Sequence, residues 1–221
     1  MTLKELIARF RTDIDDVASP PLWSDDYVVA CLNEAEQEAC RRSELLLDSS
    51  TPEIVSVTAV SGEAFISIDP RILVIKRVRQ AASNPVAIVS ASYLDGNPTW
   101  EAETGPYIRA LISDLETDKL RAYPIPTADL ALTFTVQRLP LEDLSRSALT
   151  GEPEIRAQHH LKLVYWALYR AYAVDDTDVH DDQKSAKWLK LFEREFGTTS
   201  ASQETWLRMH GGRDLMTGYF A

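Results

Sequence analysis

The stretch Asp175-Asp176-Thr177-Asp178-Val179-His180-Asp181-Asp182 holds the residue types in this chain that come nearest to a metal site. Carboxylates and an imidazole at close spacing could hold a divalent cation and use it to activate water for hydrolysis. The order of the residues argues against this. A calcium loop alternates oxygen ligands, turns on a central Gly and closes on a distal Glu. This stretch has no Gly, and its alternation fails after Asp178. The plainer expectation is a turn whose carboxylates cap the following helix at its positive end. Neither a metal nor any other cofactor is expected, although a metal-dependent hydrolase using residues 175–182 stands as a minor alternative.

Other chemistry is sparser still. His159 and His160 are adjacent, so on a helix they point about 100° apart and cannot easily share one ion. The sequence holds no His-Glu-x-x-His, no phosphate-cradling glycine loop and no nucleophile elbow. Cys31 and Cys40 fall on one helix with about 13 Å of rise between them, too far for a disulfide, whose Cα atoms must lie within about 7 Å. Buried free thiols are expected, in keeping with a reducing compartment. Tyr165, Trp166, Tyr169 and Tyr172 could stack nucleobases, but no series of interleaved Arg and Lys, only Arg170, supports that use, and a helix–helix core is the better reading. The chain is expected not to be an enzyme.

Composition narrows the classes further. Of 221 residues 45% are hydrophobic, enough to bury a substantial core. The formal net charge of −11 disfavours a protein that grips nucleic acid through its overall field. The basic clusters Arg41-Arg42 and Lys76-Arg77-Val78-Arg79 are short. No apolar run approaches the roughly 20 residues of a membrane span. The start, Met1-Thr2-Leu3-Lys4-Glu5, lacks the apolar core of a signal peptide, so the chain is expected to be cytosolic when made.

The elements that would position these residues fall into three regimes. Thr2 and Glu5 form a capping box, followed by a helical stripe at Leu3, Leu6, Ile7, Phe10, Ile14 and Val17 that Ser19-Pro20-Pro21 stops. Ser24 caps a second helix over about residues 25–47, with Val28, Leu32, Ala35, Ala39 and Leu46 on its inner face. From Thr51-Pro52 onward six or seven short β-rich runs follow. The first two, residues 54–60 and 64–68, flank a hairpin signal at Ser61-Gly62-Glu63. Residues 72–78, 86–89, 107–112, 119–123 and 130–136 supply the others, with Trp100 buried behind an Asp95-Gly96-Asn97-Pro98 turn. Helical periodicity returns after Pro153, a favoured first helical residue. Leu161, Val164, Tyr165, Leu168, Tyr169 and Tyr172 form one face that Leu163, Trp166 and Ala167 widen, and Gln183 to Phe196 make a last helix before Gly197.

The fold class expected is α+β: a helical bundle built from both ends of the chain, with an inserted antiparallel β-sandwich or barrel-like domain. The helical domain takes residues 1–50 and 142–197, the β domain 51–141, and a tail 198–221. The tail joins a Ser/Thr linker to Trp206, Leu207, Met209, Leu215, Met216, Tyr219 and Phe220, a composition unlike a solvated terminus. It either docks on its own domain or inserts into a partner.

Several of these segments together resemble the head–tail adaptors (connector or neck proteins) of tailed bacteriophages. They are Trp23-Ser24-Asp25-Asp26 at a helix start, Leu32-Asn33-Glu34-Ala35 within it, and Tyr123-Pro124-Ile125-Pro126 at a strand end. Arg138-Leu139-Pro140 and the Asp175–Asp178 link before an Ala- and Phe-bearing helix complete the set. The length and β-rich middle are similar to podovirus-type adaptors. The resemblance implies a virion structural protein, a ring of about a dozen copies under the portal that joins capsid to tail and lets DNA pass. Its partners would be the portal, tail or nozzle proteins and further copies of itself, with the tail docking on the portal. DNA would cross the lumen without specific binding, and no membrane is involved. Another neck protein, such as a stopper or tail-tube component, is the alternative.

Overall fold

A computed structural model describes residues 1–80, 84–175 and 180–198. The described residues divide into two compact units: Met1–Leu46 with residues 139–198, and Leu47–Arg138. The fold is α+β, with a helical unit and a curled, barrel-like β unit.

In the helical unit, α1 (Leu3–Ile14) opens on the capping box, with Thr2 Oγ1 accepting from Glu5 N–H and the Glu5 carboxylate accepting from Thr2 N–H. It ends earlier than the prolines suggest. Asp15 takes a left-handed conformation (φ 62°) and closes the helix, leaving Val17 75% exposed, outside the stripe assigned to it. Helix α2 (Asp25–Arg42) starts at its Ser24 cap and stops at Ser43, short of residue 47. The reason is that Leu47–Asp48 forms β1, whose backbone groups pair with the β unit. Leu46 therefore belongs to no helical face.

Helix α4 (Ala157–Tyr172) begins four residues after Pro153, which is buried in extended chain. Its buried residues are His160, Leu163, Val164, Trp166, Ala167, Leu168, Ala171 and Tyr172, which take in Val164, Leu168 and Tyr172 of the expected face and the Leu163, Trp166 and Ala167 that widen it. Tyr165 and Tyr169 sit at the margin of that face, half-buried. Helix α5 (Asp182–Phe196) packs against α4, with Phe192 4.9 Å from Trp166 and 4.7 Å from Phe196 between ring centroids. Leu3, Phe10, Leu32, Leu163 and Phe192 are fully enclosed. Each such side chain contributes about 1.5–3 kcal/mol through loss of apolar contact with water.

The β unit begins with β1 and a single helical turn, α3 (Pro52–Val55), where continuous strand was expected. Pro52 at the first helical position favours that turn. Strands β2 (Ser56–Ala59), β3 (Phe65–Ser67), β4 (Ile72–Gln80) and β5 (Asn84–Val89) follow. After two 3₁₀ turns, at Ala91–Tyr93 and Trp100–Ala102, come β6 (Thr104–Gly105), β7 (Ala110–Ile112), β8 (Lys119–Tyr123), β9 (Ile125–Pro126) and β10 (Leu130–Arg138). The main sheet runs β1-β10-β4-β5-β7-β8-β3, with β2 also paired to β10. It is mixed, since β5 and β7 run parallel, so the antiparallel expectation needs correction.

The expected hairpin also fails. Gly62 does adopt the turn (φ 80°), but β2 ladders onto β10 and β3 onto β8. The Ser61–Glu63 turn is held from outside instead, with Gly62 N–H donating to Pro126 O and Ser61 N–H to Asp129. The two strands thus diverge at the seam where the sheet curls round toward itself.

Candidate assembly interface

The segments singled out in the sequence prove to be anchors for the chain's returning limb. Asn33, Glu36 and Gln37 occupy i, i+3 and i+4 on α2 and therefore share a face. Asn33 mimics a peptide group: its Nδ2 donates to Leu144 O at 3.0 Å and its Oδ1 accepts from Leu144 N–H at 2.8 Å. Gln37 Nε2 donates to Asp143, and Glu36 accepts from Ile155 N–H at 3.1 Å. His160 of α4 closes the same point, its Nε2–H donating to Ile155 O at 2.7 Å. Glu36 is 2% exposed, and burial pushes its carboxyl up to about 7 against the hydrogen bonds from Ile155 and Glu154. A charged residue inside a helical stripe was the available signal for it, because a Glu so placed must find a partner.

The Trp23–Asp26 start is similarly structural. Trp23 stacks on Tyr27 at 4.8 Å, Ser24 caps α2, and Asp26 pairs with Arg146 at 2.9 Å. Asp25 joins Asp16 around the Arg11 guanidinium, which ties α1 to the connecting loop. Burial raises the thiol of Cys31, which suppresses the thiolate a nucleophile needs, and Cys40 is buried too, with no disulfide at either position.

In the β unit Asp48 and Arg138 form a buried ion pair at 2.7 Å, their side chains 4% and 8% exposed. Burial alone would raise the Asp48 carboxyl. Hydrogen bonds from Thr51, Ser50 and Arg138 outweigh it and hold the group well below the ordinary carboxylate value. At the Tyr123–Pro126 motif, Pro124 lies so close to Gly105 that a Cβ there would meet its ring at 2.7 Å. Only glycine fits that approach.

The acidic stretch behaves as a cap where it is described. Asp181 is the N-cap of α5, accepting from Lys184 N–H at 3.0 Å, and that bond lowers its carboxyl. His180 pairs with Asp182, while Asp176 to Val179 lie outside the described residues. Among the described residues no group of three or more His, Cys, Asp or Glu is arranged to hold a metal. His159 and His160 part as their spacing predicts, His159 turning to Glu195 at 3.0 Å. Among the described residues no helix is long and apolar enough to cross a membrane. The seven tail residues, Trp206, Leu207, Met209, Leu215, Met216, Tyr219 and Phe220, lie outside the described residues.

Two surface features were not picked out from the sequence. One is an exposed row of Lys and Arg on α5; cations at helical spacing (Lys187, Lys190, Arg194) were the signal. The other is a groove of about 500 Å³ on the β unit, between the start of β4 and the β7–β8 loop. It depends on strands distant in sequence, so no local pattern announces it.

Anchors, caps and surfaces of this kind suit a protein that joins others, and the sequence comparison decides which. The profile of the SU10 adaptor protein family matches residues 1–213. The chain belongs to that family. It is a phage structural adaptor, a virion component that associates with other head or tail proteins. The SU10 adaptor family is a structural one, typically without catalysis. No curated protein matched the sequence.

Proposed function

We propose that this adaptor forms a ring of about a dozen copies beneath the portal, joining capsid to tail and leaving an opening through which DNA passes. The family match over residues 1–213 carries the reading. The net charge of −11 supports the passage of DNA, since an acidic lumen repels phosphates and does not retain the moving strand. The tail, with Trp206, Leu207, Met209, Leu215, Met216, Tyr219 and Phe220, docks on the portal, where large aromatic anchors serve best. Tail or nozzle proteins bind the opposite side. The particle is assembled in the host cytoplasm and the adaptor stays in the neck of the virion.

The test is the mass of the complex formed with the portal of the same phage. Light scattering on portal and adaptor mixed at micromolar concentrations should show a species larger than the portal alone, with several adaptors per portal. Unchanged portal mass at saturating adaptor would overturn the reading.

A further inference from the structure

Helix α5 carries Lys187, Lys190, Leu191 and Arg194 at i, i+3, i+4 and i+7, a single face opposite the buried Ser185, Phe192 and Phe196. The acids of the helix are drawn to its flanks: Glu193 lies 3.9 Å from Arg42, and Glu195 pairs with His159. Among the described residues no carboxylate pairs with Lys187, Lys190 or Arg194. Half-exposed Leu191 sits among these cations in a hollow of about 560 Å³ that Glu193 and Thr198 also line. In a chain of net charge −11 this is a cationic surface with an apolar centre.

The groove on the β unit has the inverse pattern. Its floor is aliphatic, with Ile68, Ile72, Leu73, Ile75 and Ile88 all short of full burial and Leu115 43% exposed. Its lip carries Asp114, Glu116 and Asp118, all exposed, against a single cation, Lys119, which is paired with Glu116 at 2.7 Å. A helix the length of α5 fills roughly 1,700 Å³ as a cylinder about 10 Å across. A groove of about 500 Å³ therefore admits the side chains of one helix face and not the helix itself.

We propose that copies of this chain join by laying the basic face of α5, with Leu191 foremost, into the acid-lipped groove on the β unit of the next copy. The inference rests on the ring reading above and names the surfaces that make the ring. Copies with a net charge of −11 repel one another in most orientations, so opposed patches select the orientation as well as supplying attraction. The two surfaces differ, which makes the contact heterologous and able to propagate from copy to copy until it closes. A duplex DNA partner would satisfy the cations but leave Leu191 and the aliphatic floor of the groove unused.

Sedimentation velocity on the full chain tests this. The wild type should associate as concentration rises in about 0.05 M salt and lose that tendency in about 0.5 M salt. The triple variant Lys187→Glu, Lys190→Glu, Arg194→Glu should weaken association at least about tenfold. So should Glu116→Lys with Thr117→Lys, which spares Asp114, the acceptor for Ala91 N–H, and Asp118, held at φ 56°. Thermal melts of both variants control for folding. Mixed together, the two should associate again, because each reversed surface then meets an opposite one. A wild type that stays monomeric at hundreds of micromolar in low salt would sink the contact, as would a mixture that stays apart. Loss of duplex DNA binding by the α5 variant with self-association intact would hand that face to nucleic acid. Portal binding without self-association overturns this contact alone, and self-association without portal binding overturns the portal reading alone.

Discussion

Glu36 is the residue through which pH reaches this fold. Its carboxyl titrates near 7 when buried, against the ordinary 4.5 in the open chain, so the folded state holds the proton more tightly. Its contribution is fully present below about 4.5, falls as pH rises, and is gone above about 7. Between those limits the wild type should lose up to about 3 kcal/mol from this group. Glu36→Gln keeps an acceptor for Ile155 N–H and cannot ionise. Urea unfolding at pH 5 and pH 8 should therefore show a smaller difference in the variant than in the wild type. Equal pH dependence in the two would mean that the Glu36 carboxyl ionises in the fold as readily as in the open chain. Asp48 works the other way: its folded value is depressed, so its contribution holds above about 4 and fades in acid. Arg138→Met would strand the Asp48 charge, and removing one partner of a buried pair costs about 3–5 kcal/mol. Denaturant titration of the variant at pH 7 should show that loss, and a change below about 1 kcal/mol would mean that Ser50 and Thr51 suffice.

At the scale of elements, local signals read well and distant ones did not. The Thr2–Glu5 box, the Ser24 cap and the last helix ending at Gly197 were legible, because each depends on neighbours within four residues. The end of α2 was not, since Leu47–Asp48 is a strand only by virtue of Gln137 and Val136. The same holds for β2 and β3, whose turn reads as a hairpin although each finds another partner. Of the candidate site, the cap role of the acidic stretch was legible at Asp181. The groove was not, because Ile72, Ile88 and Leu115 meet only after folding. Deleting residues 198–221 should shift the melting temperature little and sharply weaken portal binding, with Trp206→Ala and Phe220→Ala each giving part of that loss, about 2 kcal/mol. A markedly lower melting point with portal binding retained would make the tail part of the chain's own core.

The whole molecule is organised by one doorway. The chain passes into the β unit at Leu47–Asp48 and leaves it at Arg138, and these stretches are neighbouring strands, Leu47 opposite Gln137 and Asp48 opposite Val136. The β unit contains its own sheet and its own buried ion pair. The fragment 47–138 should accordingly fold alone, with a cooperative melt by circular dichroism; a featureless melt would show that it needs the helices. Opposed residues in an antiparallel ladder lie about 5 Å apart. A linker of a few residues can span that gap and join Leu46 to Leu139, so the whole β segment can be cut out or replaced while the flanking helices keep their sequence. A gene with such a doorway can trade the whole β unit in one recombination event, and leave untouched the residues that hold the helical unit together.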